Sequence, residues 1–171
     1  RRRPRRAGVV SRDSARSRVY DAERLVFRML DRAAGAHTVQ IAGTQLTVPA
    51  EARFGSVDDV TAYLRRVTDL RTVSERFARA SLPVAVRARR GQRAAHYERG
   101  TATIALPDGQ AGRWALRELV VLHELAHHLD DVGDPAHGPN FVTTLIELVE
   151  SVMGPETALI YRVIFGDSGL T

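Results

Sequence analysis

Cysteine and lysine are both absent from this 171-residue chain. Without cysteine there are no disulfides and no thiolate ligands, so any metal must be held by His, Asp or Glu. The same lack fits a reducing compartment. No window approaches the roughly eighteen consecutive apolar residues that a membrane span needs. Gly8-Val9-Val10, behind a basic start, is too short for the apolar core of a signal peptide. The expectation is a cytoplasmic protein with no membrane association. Aromatic residues are few, at 6%, but an apolar fraction of 44% suffices for one core at this length.

With no lysine, all 25 basic residues are arginine, and they are unevenly spread. Residues 1–32 carry 11 Arg against 4 acids, whereas the remainder carries 14 Arg against 16 acids. The high isoelectric point therefore belongs mainly to the beginning of the chain. Pro4 with clustered Arg and Ser predicts a flexible Arg-rich arm over 1–18, ahead of a single domain over 19–171. Such an arm could neutralise phosphates, which makes nucleic acid a partner to test, or it could simply be a solvated terminus.

Periodicity places the remaining elements. Val19, Leu25, Val26, Met29 and Leu30 predict an amphipathic helix over 19–33. Two short strands are expected over 37–49 around Ala42-Gly43-Thr44. Helical spacing runs from Val57 to Ala80, in one piece or two, and is followed by strands at 84–88 and 95–106. Arg113 to Leu129 reads as one long helix. A turn-rich loop leads to Pro139, which suits the first position of a helix because its missing N–H costs nothing there. Gly154-Pro155 ends that helix, and a last one covers 156–165. The order predicts an α+β domain with a small sheet and two C-terminal helices.

His123-Glu124-Leu125-Ala126-His127 carries the chemistry. On a helix, positions i and i+4 share a face, so two imidazoles can converge on one ion. Glu124 is turned about 100° from His123 and borders the site, as suits a general base acting on metal-bound water. Leu119, Val120, Val121, Leu122, Leu125, Ala126 and Leu129 make the helix apolar on most sides, hence buried. Histidines and a carboxylate in such a helix are costly unless paired or coordinated. His128 points away from His123 and cannot share its ion.

Catalytic zinc usually takes three protein ligands and leaves one position open. Gly133 stands where a metzincin would have its third His, so that arrangement fails. Glu147 in the following helix and His137 before Gly138-Pro139-Asn140-Phe141 both remain as third ligands. Asp130, Asp131 and Asp134 could orient ligand imidazoles or merely solvate the loop. Tyr97 and Tyr161 could donate to an oxyanion, though packing roles are commoner for such residues. His37 and His96 read as structural. Thr101 to Leu106 alternates like an edge strand on which an extended substrate could lie.

His123-Glu124-x-x-His127 followed by His137-Gly138-x-x-Phe141 resembles the SprT-like zincin pattern, and is similar to small metallohydrolases of actinobacteria. The likeness covers about 123–141, with a weaker one at 101–107. It implies a zincin-like fold, Zn2+ held by His123, His127 and His137, Glu124 as the base, and hydrolysis of a protein or peptide substrate. The cysteine-based zinc ribbon of many SprT-like proteins is missing, which removes support for a DNA-repair role. A nucleic-acid-associated protease recruited by the arm, and a non-enzymatic module stapled by zinc, stand as alternatives.

Overall fold

A computed structural model describes residues 10–91, 93–107, 109–133 and 135–171. The chain begins with a long helix, α1 (Val10–Ala33), and a hairpin of β1 (Thr38–Ile41) and β2 (Thr44–Thr47). Two helical pieces follow, α2 (Val57–Asp69) and the short α3 (Arg71–Ser74), then a 3-10 turn at Ala78–Ser81. The main sheet consists of β3 (Ala85–Arg89), β4 (His96–Glu98) and β5 (Thr103–Pro107), in the order β3-β5-β4. β3 runs parallel to β5, and β4 antiparallel to it. A 3-10 segment (Gln110–Ala115) leads into α4 (Glu118–Leu129), α5 (Pro139–Met153) and α6 (Pro155–Asp167). The class is α+β, as the order of elements implies. Among the described residues no helix is long and apolar enough to cross a membrane.

Local chemistry accounts for the boundaries. Ser56 caps α2 by accepting the Asp59 N–H at 3.1 Å, while the Asp59 carboxylate accepts from the Gly55 N–H and the Ser56 hydroxyl. This reciprocal cap is worth about 1 kcal/mol. Pro139 occupies the first turn of α5, and Gly154, at φ 91°, ends it where a side chain would be strained. A single core gathers α1, α2 and the three last helices, with Leu119, Leu122, Leu125, Phe141, Leu145 and Tyr161 essentially sealed from solvent.

Three expectations are corrected. Residues 10–18, assigned to the flexible arm, form the first turns of α1, and residues 1–9 of that arm lie outside the described residues. The helix expected over 113–129 is broken at Leu116 and Arg117. There the backbone bonds sideways to an incoming segment: Phe54 N–H donates to Leu116 C=O, Glu118 N–H to Ala52 C=O, and Arg53 bridges Arg117. Arg117 also reaches Glu51 at 2.6 Å and Asp31 at 3.2 Å and lies over the Phe27 ring. These partners, all more than sixty residues away, outweigh helix propensity at that point. Finally, β5 is the centre of its sheet, so Thr101 to Leu106 is not an edge strand. β4 borders the site instead.

Candidate metal centre

α4 runs through the core with only His127 partly exposed along its last two turns. It presents His123 and His127 one turn apart, with their Nε2 atoms 3.2 Å from each other. Pro135 accepts the Gly138 N–H through its carbonyl at 2.9 Å, which closes the turn that carries His137. A Cβ on Gly138 would come within 2.8 Å of the Pro135 ring, so that turn requires glycine. Phe141, fully buried at the start of α5, stacks on His127 with ring centroids 4.2 Å apart and meets His137 edge-on at 5.0 Å. The rings of His123, His127 and His137 are thereby gathered, with one nitrogen of each lying within 4.8 Å of the others.

Glu147, the competing third candidate, is elsewhere. It faces the surface and pairs with Arg76. Among the aspartates, Asp130 is buried but caps the end of α4, accepting the Val132 N–H at 3.1 Å. Asp131 is exposed, and Asp134 lies outside the described residues. His37 is exposed at a positive φ of 54° and distant from the cluster in chain and element.

The orienting carboxylate comes from α1. Glu23, 3% exposed, accepts from His123 Nδ1 at 2.9 Å, leaving the Nε2 lone pair directed at His127. Sequence reading missed this residue, because its partner is one hundred positions away. One signal was present: Glu23 interrupts the apolar stripe formed by Val19, Ala22, Val26 and Leu30. Tyr20, one turn earlier, stacks on His123 at 5.3 Å and leans on His137 at 5.5 Å.

Electrostatics separate the titrating groups. Burial, helped by the charges of His123 and His137, holds His127 down at about 2. Burial and His123 lower His137 to about 3. Burial pushes His123 the same way, but the Glu23 carboxylate overcomes it and raises that imidazole above its ordinary value. Glu124 is raised to about 7 by burial, against the opposing influence of His123 and the Tyr97 backbone N–H that it accepts. Two neutral imidazoles beside a carboxyl poised near neutrality are ready to take a cation and a proton, respectively.

His128 has a different use. It is sealed from solvent, with Nδ1 3.0 Å from the Tyr97 hydroxyl and Nε2 3.1 Å from the Leu82 carbonyl. It pins β4 to the 3-10 turn before β3, and so holds the Tyr97 backbone against Glu124. Tyr161, by contrast, is buried in the core with its hydroxyl unpartnered among the described residues, while His96 lies between Arg89 and Glu98.

A divalent cation fits the donor set. Nitrogens each 2.0–2.1 Å from a tetrahedral zinc lie about 3.4 Å apart, close to the 3.2 Å between His123 and His127. His137 Nε2 is buried with no hydrogen-bond partner among the described residues, which is costly unless something fills its lone pair. Two clefts open on either side of this cluster. The larger, ≈ 810 Å³, is walled by Phe27, Trp114 and Val120, and the smaller, ≈ 530 Å³, by Tyr97, His127 and His137. Both reach Tyr20 and Glu124, so one groove passes across the histidines.

No protein family, curated protein or solved structure matches this chain.

Proposed function

We propose that the protein is a zincin-like zinc metallohydrolase acting on a peptide bond. The observation that carries this reading is the buried, unpartnered Nε2 of His137 facing the nitrogens of His123 and His127, beside a buried carboxyl. His123, His127 and His137 would hold the ion, and Glu23 would fix the tautomer and direction of His123. When bound, zinc supplies Lewis acidity that polarises a carbonyl and makes water acidic enough to ionise near neutral pH.

Glu124 is the proton carrier. Its carboxylate takes a proton from the attacking water and returns it to the departing amine, and a value near 7 suits both halves of that shuttle. The Tyr97 backbone N–H holds one carboxylate oxygen, which leaves the other for the reacting water. β4, paired only with β5 among the described residues, offers a strand edge beside Glu124 along which an extended peptide can lie. The groove running on both sides of the histidines favours catalysis over a purely structural zinc staple, whose ligands are normally closed off.

Metal analysis with a matched set of variants tests the assignment. The purified protein should retain about one zinc per chain. Alanine at His123, His127 or His137 should abolish retention, and Glu147→Ala should not. Glu124→Gln should keep the metal while peptide hydrolysis falls by about two orders of magnitude or more. Stoichiometric zinc in a His137→Ala protein, or its loss from Glu147→Ala, would overturn the ligand set.

A further inference from the structure

Five arginines line the two clefts. Arg16, Arg24 and Arg93 border the larger cleft, and Arg16, Arg89 and Arg99 the smaller. Among the described residues, the carboxylates lining either cleft are Glu23, already committed to His123, and the buried Glu124.

These guanidinium groups mostly meet uncharged acceptors, as Arg79 and Arg18 also do at the His128 and Gly169 carbonyls. Elsewhere, Arg53, Arg71, Arg76, Arg87, Arg117 and Arg162 each hold a carboxylate. In the groove, Arg89 donates to the Ala94 carbonyl and Arg99 to the Asp130 carbonyl, both uncharged acceptors. Arg16 lies over the Tyr20 ring. Of the five, only Arg24 has a carboxylate partner among the described residues, the neighbouring Asp21. Gly133, at φ 68°, is also shaped for this arrangement: a Cβ there would collide with the Arg99 guanidinium. Among the described residues, positive charge with little carboxylate to balance it thus lines both clefts beside the histidines, and a bound divalent cation would add to it.

We infer that the substrate is an acidic peptide segment, with carboxylates on both sides of the bond to be cleaved and a bulky apolar side chain seated in the larger cleft. This rests on the metallohydrolase reading of the same site. The carboxylates answer the arginines, for which bidentate pairing is geometrically natural. The apolar side chain answers the wall of Phe27, Val120 and the Trp114 indole, which is 42% exposed. A peptide is favoured over a nucleic acid because a strand edge, β4, runs beside the same groove and matches a backbone of amides.

Trp114 is the sole tryptophan, so its fluorescence reports occupancy of the larger cleft directly. The probe is a Trp-free peptide of about twelve residues with a central Leu-Phe flanked by Glu, compared with the same peptide flanked by Gln or Lys. Binding is measured on the zinc-loaded full chain carrying Glu124→Gln, to prevent turnover. With several exposed pairs each contributing roughly two- to threefold, the Glu peptide should bind at least about tenfold more tightly than the Gln peptide. The Lys peptide should bind more weakly still, and salt should erode the difference. Arg16→Ser with Arg93→Ser, both at exposed positions, should lower the ratio of Glu-peptide to Gln-peptide affinity about fivefold.

Equal affinity for the three peptides, or no Trp114 response to the Glu peptide at millimolar concentration, would overturn the inference. Tighter binding of a twelve-nucleotide oligothymidylate would transfer the groove to nucleic acid. Turnover by the unaltered protein separates the two layers of argument. Equal hydrolysis of Glu and Gln peptides sinks the acidic preference while sparing the hydrolase. Charge-selective binding without hydrolysis of any peptide sinks the peptidase while sparing the acidic groove.

Discussion

Glu124→Gln should stabilise the metal-free protein at alkaline pH while removing the proton carrier of the proposed hydrolysis. The carboxyl is 3% exposed, and burial raises it from an ordinary 4.5 to about 7. A group whose folded value is raised favours the folded state fully only below its unfolded value, and that advantage is lost as pH rises through the folded value. Below pH 4.5, therefore, the folded and unfolded chains both hold the proton. Between 4.5 and about 7 only the folded chain keeps it, and stability declines by about 1.4 kcal/mol per pH unit. Above about 7 the loss levels off near 3 kcal/mol. Glutamine keeps the shape and can still accept the Tyr97 N–H, but never ionises. Urea unfolding of chelator-stripped protein should show a gain of about 3 kcal/mol for the variant at pH 8 and only about 1 kcal/mol at pH 5. At pH 8 the melting temperature should rise by about 6–12 °C. Zinc should shrink the gain, because a nearby cation favours the carboxylate. A variant no more stable at pH 8 than the parent, or one with the same gain at both pH values, would refute the claim that Glu124 is a strained, buried acid.

Two further outcomes follow from the buried polar contacts. Glu23→Gln should weaken zinc binding by about 10–100-fold in a competitive chelator titration without emptying the site at saturating metal, since the residue orients a ligand and is not one. Unchanged affinity would remove Glu23 from the centre. Arg117→Ala should destabilise the fold by about 3 kcal/mol in urea, because it leaves the buried Glu51 carboxylate with only the Leu119 N–H and a longer contact to Arg53. A cost below about 1 kcal/mol would show that Glu51 finds solvent or another partner.

What could be read from the sequence depended on how locally each feature is encoded. The two histidines of α4 and the glutamate between them are one helical turn apart, so spacing alone placed them on a buried helix. His137 could be anticipated because the glycine and proline that shape its turn adjoin it. Glu23 could not be, since only the docking of α1 brings it to His123, one hundred residues on. The break at Leu116 and Arg117 was hidden for a similar reason: its cause is the segment 52–54 bonding across it. The strand at 103–107 looked half-buried by alternation, but neighbours on both sides make it central, and a lone strand does not encode its position in a sheet.

The bond between Glu23 and His123 links the proposed centre to the docking of α1 across one hundred residues of chain. Contacts of such long sequence separation are costly to close and tend to form late, after local helices and hairpins. α1 must seat on the body, with Arg18 reaching the Gly169 carbonyl beyond α6, before the imidazole acquires its fixed direction. A partly folded chain can display the two histidines of α4 yet hold a cation only loosely. In the proposed metal centre, tight capture therefore waits on the docking of α1, so that metal retention would report the completed topology and not the α4 helix alone.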